Sequence, residues 1–193
     1  MSAALDEWQK TRGKELDQVV DSHKAIGGHA RGRRYATQQV NYAYATLLSA
    51  QFQGFCRDLH SEAARALVAA TTPPSVAVVL SSLLTGPGQR KLDSGNPNPG
   101  NIQHDFGSLG IVAPKFWDRV KDFDARSKRR QEKLEELNSW RNAIAHQDWS
   151  KFRSRSLQLA TVGAWRNACN ELAKTFDRVV AEHVTRVIEK RPW

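Results

Sequence analysis

An all-α fold follows from three features of this sequence. Apolar residues recur at three- and four-residue steps through nearly every long segment. No segment alternates β-formers with polar residues as a half-buried strand does. The composition, 40% apolar and 25% charged with seven prolines in 193 residues, suits a globular chain rather than a disordered one. Together they predict one domain over residues 1–193, an antiparallel helical bundle with long second and last helices.

The elements follow in order. Leu5, Trp8, Leu16, Val19, Val20, His23 and Ile26 predict a first helix over about 4–26, ended by Gly27-Gly28. A basic joint, Arg31-Gly32-Arg33-Arg34, comes next. Val40, Tyr44, Leu47, Leu48, Phe52, Phe55, Cys56, Leu59, Ala63 and Leu67 form one stripe, predicting a helix over about 35–70 that acts as the spine of the bundle. Pro73-Pro74 closes it, and residues 75–84 read as a short, strongly apolar helix. Residues 86–100, rich in Gly, Pro, Asn and Ser, read as a loop with the composition of a mobile segment; its length is its one claim on function.

A short helix beginning near Asn101 carries Ile102, Phe106 and Leu109. Pro114 suits the first position of the next, with Phe116, Trp117, Val120 and Phe123 inward. Two helices complete the chain, over about 127–147 and 156–190. The last is striped by Trp165, Cys169, Leu172, Phe176, Val179, Val180, His183 and Val187.

Composition also narrows function. Twenty-nine Lys and Arg against twenty Asp and Glu leave a formal charge of +9, which favours a polyanionic partner such as RNA. No stretch reaches the roughly 18–20 apolar residues that span a bilayer, and the first residues show no basic-then-apolar export signal. A cytoplasmic protein without a membrane partner is expected. Cys56 and Cys169 stand alone, without metal-ligand spacing, and are expected as buried, reduced thiols. No metal and no cofactor are implied.

The helix over 127–147 carries the chemistry. It opens with a charge run, Arg126 to Lys133, that reads either as a solvated face or as a phosphate-contacting patch through Arg129, Arg130 and Lys133. Its stripe then passes through Leu134, Leu137 and Ile144, and Arg141 falls on that stripe. A buried guanidinium cannot shed its charge, so Arg141 must pair with a carboxylate such as Glu135 or Asp148, lie at a subunit interface, or face a site that receives an anion. Asn142 and His146, four residues apart, share a face and are within reach of a hydrogen bond. Arg141 and His146 stand about 140° apart on an ideal helix, a gap the long arginine side chain bridges by bending toward the helix end. Of the other histidines, His183 and His23 read as hydrogen-bonded core residues, while His29, His60 and His104 lack companions that suggest chemistry.

Arg141-Asn142-x-x-x-His146, near the end of a helix in an all-α chain, resembles the Arg-x(4–6)-His motif of the HEPN superfamily, whose favoured form often has Asn directly after the Arg. The segment from Val40 to Leu67 resembles the long second helix of the RiboL-PSP type of HEPN domain. Asn101-Ile102 to Leu109-Gly110-Ile111 resembles the short helix such proteins place before the motif helix. The likeness runs from about residue 35 to 190.

The resemblance implies a metal-independent endoribonuclease that works as a homodimer, with two motif copies meeting across a cleft. In that reading His146 is the general acid/base for attack of a ribose 2′-hydroxyl on the adjacent phosphate. Arg141 holds the phosphate and stabilises the transition state, and Asn142 orients His146 or adds a hydrogen bond. The products would be a 2′,3′-cyclic phosphate and a 5′-hydroxyl, and the substrate RNA alone. The family includes toxins of toxin–antitoxin and antiphage systems, so an antitoxin partner is implied as well. A non-catalytic HEPN module that binds nucleotide or RNA, or serves as a scaffold, is the alternative. Some HEPN toxins carry a tyrosine two residues after the histidine, where a partner enzyme modifies them. This chain has Asp148 there, so silencing by that route is not expected, and Asp148 is instead expected to raise the pKa of His146.

Overall fold

The computed structural model describes residues 1–27 and 35–193, and those residues form helices and connectors with no strand among them. The basic joint Arg31-Gly32-Arg33-Arg34 and His29 lie outside the described residues. The first predicted helix is three helical pieces in a row: α1 (Ala3–Glu7), a π-turn (Trp8–Arg12) and α2 (Gly13–Gly27). Ser2 caps α1, its Oγ accepting the Leu5 N–H at 3.0 Å. The π-turn lets Trp8 and Leu16 both reach the core.

The long spine is α3 (Tyr35–Ala69), followed by α4 (Pro74–Thr85), a 3₁₀ turn (Lys91–Asp93), α5 (Pro99–Ser108), α6 (Phe116–Phe123), α7 (Ser127–His146) and α8 (Leu159–Ile188). Residue pairs fix how the three longest helices run. Tyr44 meets Arg166 and Phe52 meets Phe176, so α3 and α8 are parallel. Glu136 accepts from Trp165 while Arg130 reaches Glu171, so α7 runs antiparallel to α8. None of the helices is long and apolar enough to cross a membrane, among the described residues.

Phe176 of α8 is the hub of the core. Its ring meets Phe52 of α3 at 6.0 Å, Phe106 of α5 at 6.0 Å, and Phe116 and Trp117 of α6 at 4.9 and 5.3 Å. These edge-on and tilted contacts suit the ring quadrupoles, and each ring brings a large apolar area out of water. Both cysteines are buried and unbridged, and burial pushes both thiols up.

Several stripe residues face outward instead. Phe123 is 40% exposed and Val187 56% exposed, each near the end of its helix. His23 is half-exposed, not a core residue. Its helix contacts α3 on one side only, so a residue off that contact line meets solvent. His183 is buried as expected: Nε2 lies 2.8 Å from the Leu109 carbonyl and Nδ1 3.4 Å from Arg119 Nη1.

Candidate functional site

The segment over 86–100 departs most from its sequence reading. It is a packed strap rather than a mobile loop. Leu92 is fully buried, and the Asp105 carboxylate accepts the Lys91 and Leu92 N–H groups at 2.8 and 2.9 Å. Gln53 donates to the Leu92 carbonyl at 2.6 Å, and Asp93 pairs with Arg57 and Arg90 at 3.0 Å each. Its many polar residues are spent on holding its own backbone, a use that composition does not reveal.

The strap ends on the motif helix. Asn138 is buried in α7 and donates to the Pro97 carbonyl at 3.0 Å and the Leu134 carbonyl at 2.9 Å, while its oxygen accepts from Ser49 of α3 at 3.2 Å. One turn later Asn142 Oδ1 accepts from Asn96 of the strap and, at 3.3 Å, from Arg141 Nη1. Asn96 and Asn138 escaped the sequence reading. The four-residue step from Asn138 to Asn142 was the available signal, since it puts two amides on one helix face.

Packing of α7 decides how the motif is presented. Leu134, Leu137, Asn138, Trp140 and Ala143 face inward, so Trp140 rather than Arg141 takes the place nearest the core. Arg141 is half-buried and makes no ion pair among the described residues. Neither Glu135 nor Asp148 reaches it. Asn142 and His146 are exposed on the outer face, and no hydrogen bond joins them. His146 itself has no hydrogen-bond partner among the described residues.

The helix stops directly after His146. Gln147 takes the left-handed conformation (φ 54°) and its amide donates back to the Ile144 carbonyl at 2.7 Å. Asp148 Oδ1 accepts the Ser150 N–H at 3.0 Å, and these contacts to Ser150 hold its carboxyl below the usual value, with smaller help from Lys151 and His146. Asp148 forms no ion pair with His146.

Aromatic packing anchors the chain beyond. Trp149 stacks on Tyr42 of α3 at 5.4 Å, Phe152 packs on Trp140 at 4.6 Å, and Trp140 reaches Trp165 at 6.3 Å. The Arg155 carbonyl accepts from Gln38 and Tyr42, and the Leu157 carbonyl from Asn41. Near the end of α7, Ile144 and Gln147 line a shallow groove of about 570 Å³ with Tyr42 and Leu47 of α3. A cavity of about 970 Å³ between α1, α8 and the C-terminal residues includes neither Arg141 nor His146.

The basic run at the start of α7 is divided. Arg130 pairs with Asp124 and lies 3.7 Å from Glu171, and Lys133 pairs with Glu136 at 2.8 Å. Arg129 is exposed. Twelve residues separate Arg129 from Arg141, about 18 Å along the helix. The structure therefore gathers Arg141, Asn142, His146 and Asn96 at one end of α7 and leaves Arg129, Arg130 and Lys133 toward the other. Among the described residues no three His, Cys, Asp or Glu side chains cluster as metal ligands would. No known protein family, curated protein or solved structure matches the chain.

Proposed function

We propose that this protein is a metal-independent endoribonuclease of the HEPN kind, cutting RNA through attack of a 2′-hydroxyl on the adjacent phosphate. The observation that carries the reading is the state of Arg141. A half-buried guanidinium with no carboxylate partner among the described residues, five residues before an exposed histidine at the same helix end, is an anion site in wait of its anion. The His146 ring is open to a reacting group, since no hydrogen bond engages it among the described residues. In this reading the phosphate sits against Arg141, and His146 takes the proton from the 2′-hydroxyl or gives one to the leaving 5′-oxygen.

A homodimer completes the site, because one chain presents a single histidine, His146, at this end of α7 and the two proton transfers call for an acid and a base. A second motif copy across a shared cleft supplies the other. A cytoplasmic toxin or antiphage effector held in check by an antitoxin protein is the setting this chemistry suits.

One observation favours a second reading, a module that binds nucleotide or RNA without cutting it. Asn142 Oδ1 is already held by Asn96 and Arg141, and His146 lacks any group to orient it. The test is direct. Wild-type and His146→Ala protein are incubated with single-stranded and structured RNA in EDTA, and product ends are identified. Cleavage to 2′,3′-cyclic phosphates that disappears in the variant carries the enzyme. Binding without cleavage by wild-type protein carries the module.

A further inference from the structure

The cations expected to meet RNA at the start of α7 are partly spent on carboxylates, yet a second basic group lies next to His146. Lys151, Arg153 and Arg155 follow the motif helix, and all three are exposed while Phe152 between them turns inward. None of the three makes an ion pair among the described residues. Arg155 lies over the Trp149 ring at 5.4 Å, and Asp148 is the one carboxylate near them in sequence.

Their backbone is fixed in place. Trp149 on Tyr42, Phe152 on Trp140, and the Arg155 and Leu157 carbonyls on Gln38, Tyr42 and Asn41 tie the segment to α3 and α7. The three cations are thus carried on one anchored segment that begins five residues after His146, so little backbone ordering cost remains to be met on binding.

We propose that Lys151, Arg153 and Arg155 are the phosphate-binding track for single-stranded RNA entering or leaving the Arg141–His146 site. The inference rests on the ribonuclease reading for the identity of the polyanion. A single strand fits better than a duplex for two reasons. An in-line attack needs a backbone free to rotate, and the groove lined by Tyr42, Leu47, Ile144 and Gln147 at the end of α7 has room for an unstacked base. Trp149 does not itself stack a base, because Tyr42 takes one face and Arg155 lies over the ring. It positions the segment that carries the cations.

The test uses full-length His146→Ala protein, which keeps the substrate whole, and a fluorescent single-stranded RNA followed by anisotropy across a salt series. Replacing two phosphate contacts, as in Lys151→Ala/Arg153→Ala, should flatten the plot of log affinity against log salt by about 1.4 for a single strand. The charge-keeping variant Lys151→Arg/Arg153→Lys should restore the slope, which separates lost charge from lost fold. An unchanged slope in the alanine variant overturns the track, as does tighter binding of a duplex of the same sequence. Cleavage by wild-type protein is scored in parallel. Cleavage with an unchanged slope removes the track and leaves the ribonuclease. A flattened slope with no wild-type cleavage keeps the track and removes the ribonuclease. Absence of RNA binding even at low salt overturns both.

Discussion

Asn96 donates its side-chain amide to Asn142, so the strap between α4 and α5 ends on the residue that follows Arg141 in the motif. One turn earlier Asn138 holds the Pro97 carbonyl of the same strap at 3.0 Å. The strap, the motif helix and, through Ser49, the spine helix are one hydrogen-bonded unit. The position of the motif is thereby set from outside its own helix.

Asn138 is the structural member of this unit. Asn138→Ala leaves the buried Pro97 carbonyl and Ser49 hydroxyl without their partner, and an unpaired buried polar group costs about 1–3 kcal/mol. Urea unfolding should show a loss in that range, with Asn138→Leu no better. A variant as stable as wild type would mean that water replaces the amide.

Arg141→Ala should behave in the opposite way. Among the described residues its guanidinium donates only to the neighbouring Asn142 and makes no salt bridge, so unfolding stability should change by less than about 0.5 kcal/mol. Anion binding and any RNA cleavage should fall sharply. Destabilisation by several times that figure would assign Arg141 a structural role.

His60 gives a pH signature. It is fully enclosed, with Nε2 3.1 Å from Ser108 Oγ and Nδ1 unpartnered, and burial pushes its pKa down from 6.5 to about 4. Unfolded chain takes up a proton near pH 6.5, whereas folded chain refuses it until near pH 4. The unfolded state binds more protons throughout that window, so stability is full above about pH 6.5 and declines as pH falls. At about 1.36 kcal/mol per unit the loss approaches roughly 3 kcal/mol. His183, also lowered by burial, acts in the same direction. Denaturant unfolding between about pH 7 and about pH 4 should show this decline, and His60→Phe should remove most of it. An equal decline in the variant would place the acid sensitivity elsewhere.

Gly54 is an interior residue of α3 where alanine would ordinarily add about 1 kcal/mol of helix stability. Here a Cβ would overlap the Arg12 guanidinium, which donates to the Gln51 carbonyl at 3.1 Å and to Asp58. Gly54→Ala should therefore destabilise, by about 1 kcal/mol net once the charged hydrogen bonds are lost. In an Arg12→Ala background the same change should become stabilising. Thermal melts of the four proteins form the cycle, and the same sign in both backgrounds would refute the overlap.

Trp149→Ala should loosen the chain beyond α7 more than the bundle. The ring is half-buried, so about 2 kcal/mol is expected rather than the roughly 3–5 kcal/mol of a fully buried tryptophan. Hydrogen exchange over residues 148–158 should accelerate well before that of α3 or α8. Uniform acceleration would show the segment to be part of the global folding unit.

Much of the fold was legible in the sequence because helices announce themselves locally. The spine, predicted over about 35–70, is Tyr35–Ala69, and the bounds of α4 and α7 fell within one residue of their predicted ends. The π-turn at Trp8–Arg12 was not legible, since a single inserted residue leaves helical periodicity almost intact. The strap was misread because Gly, Pro and Asn mark the end of helices without saying whether the chain that follows is packed. The site was legible only as a motif. Which of Arg141, Asn142 and His146 would find partners depended on Asn96, forty-six residues away from Asn142.

By itself the sequence determined the helical class, the bounds of the spine, α4 and α7, most of the core-facing residues and the candidate Arg141–His146 pair, because each rests on interactions within a few residues of chain. Tertiary structure alone decided that the 86–100 segment is a packed strap, that Arg130 and Lys133 are paired with acids, and that Arg141 has no acid partner among the described residues. Those outcomes turn on which side chains meet across the bundle. A charge or an amide has no fixed role until a distant partner either satisfies it or leaves it free.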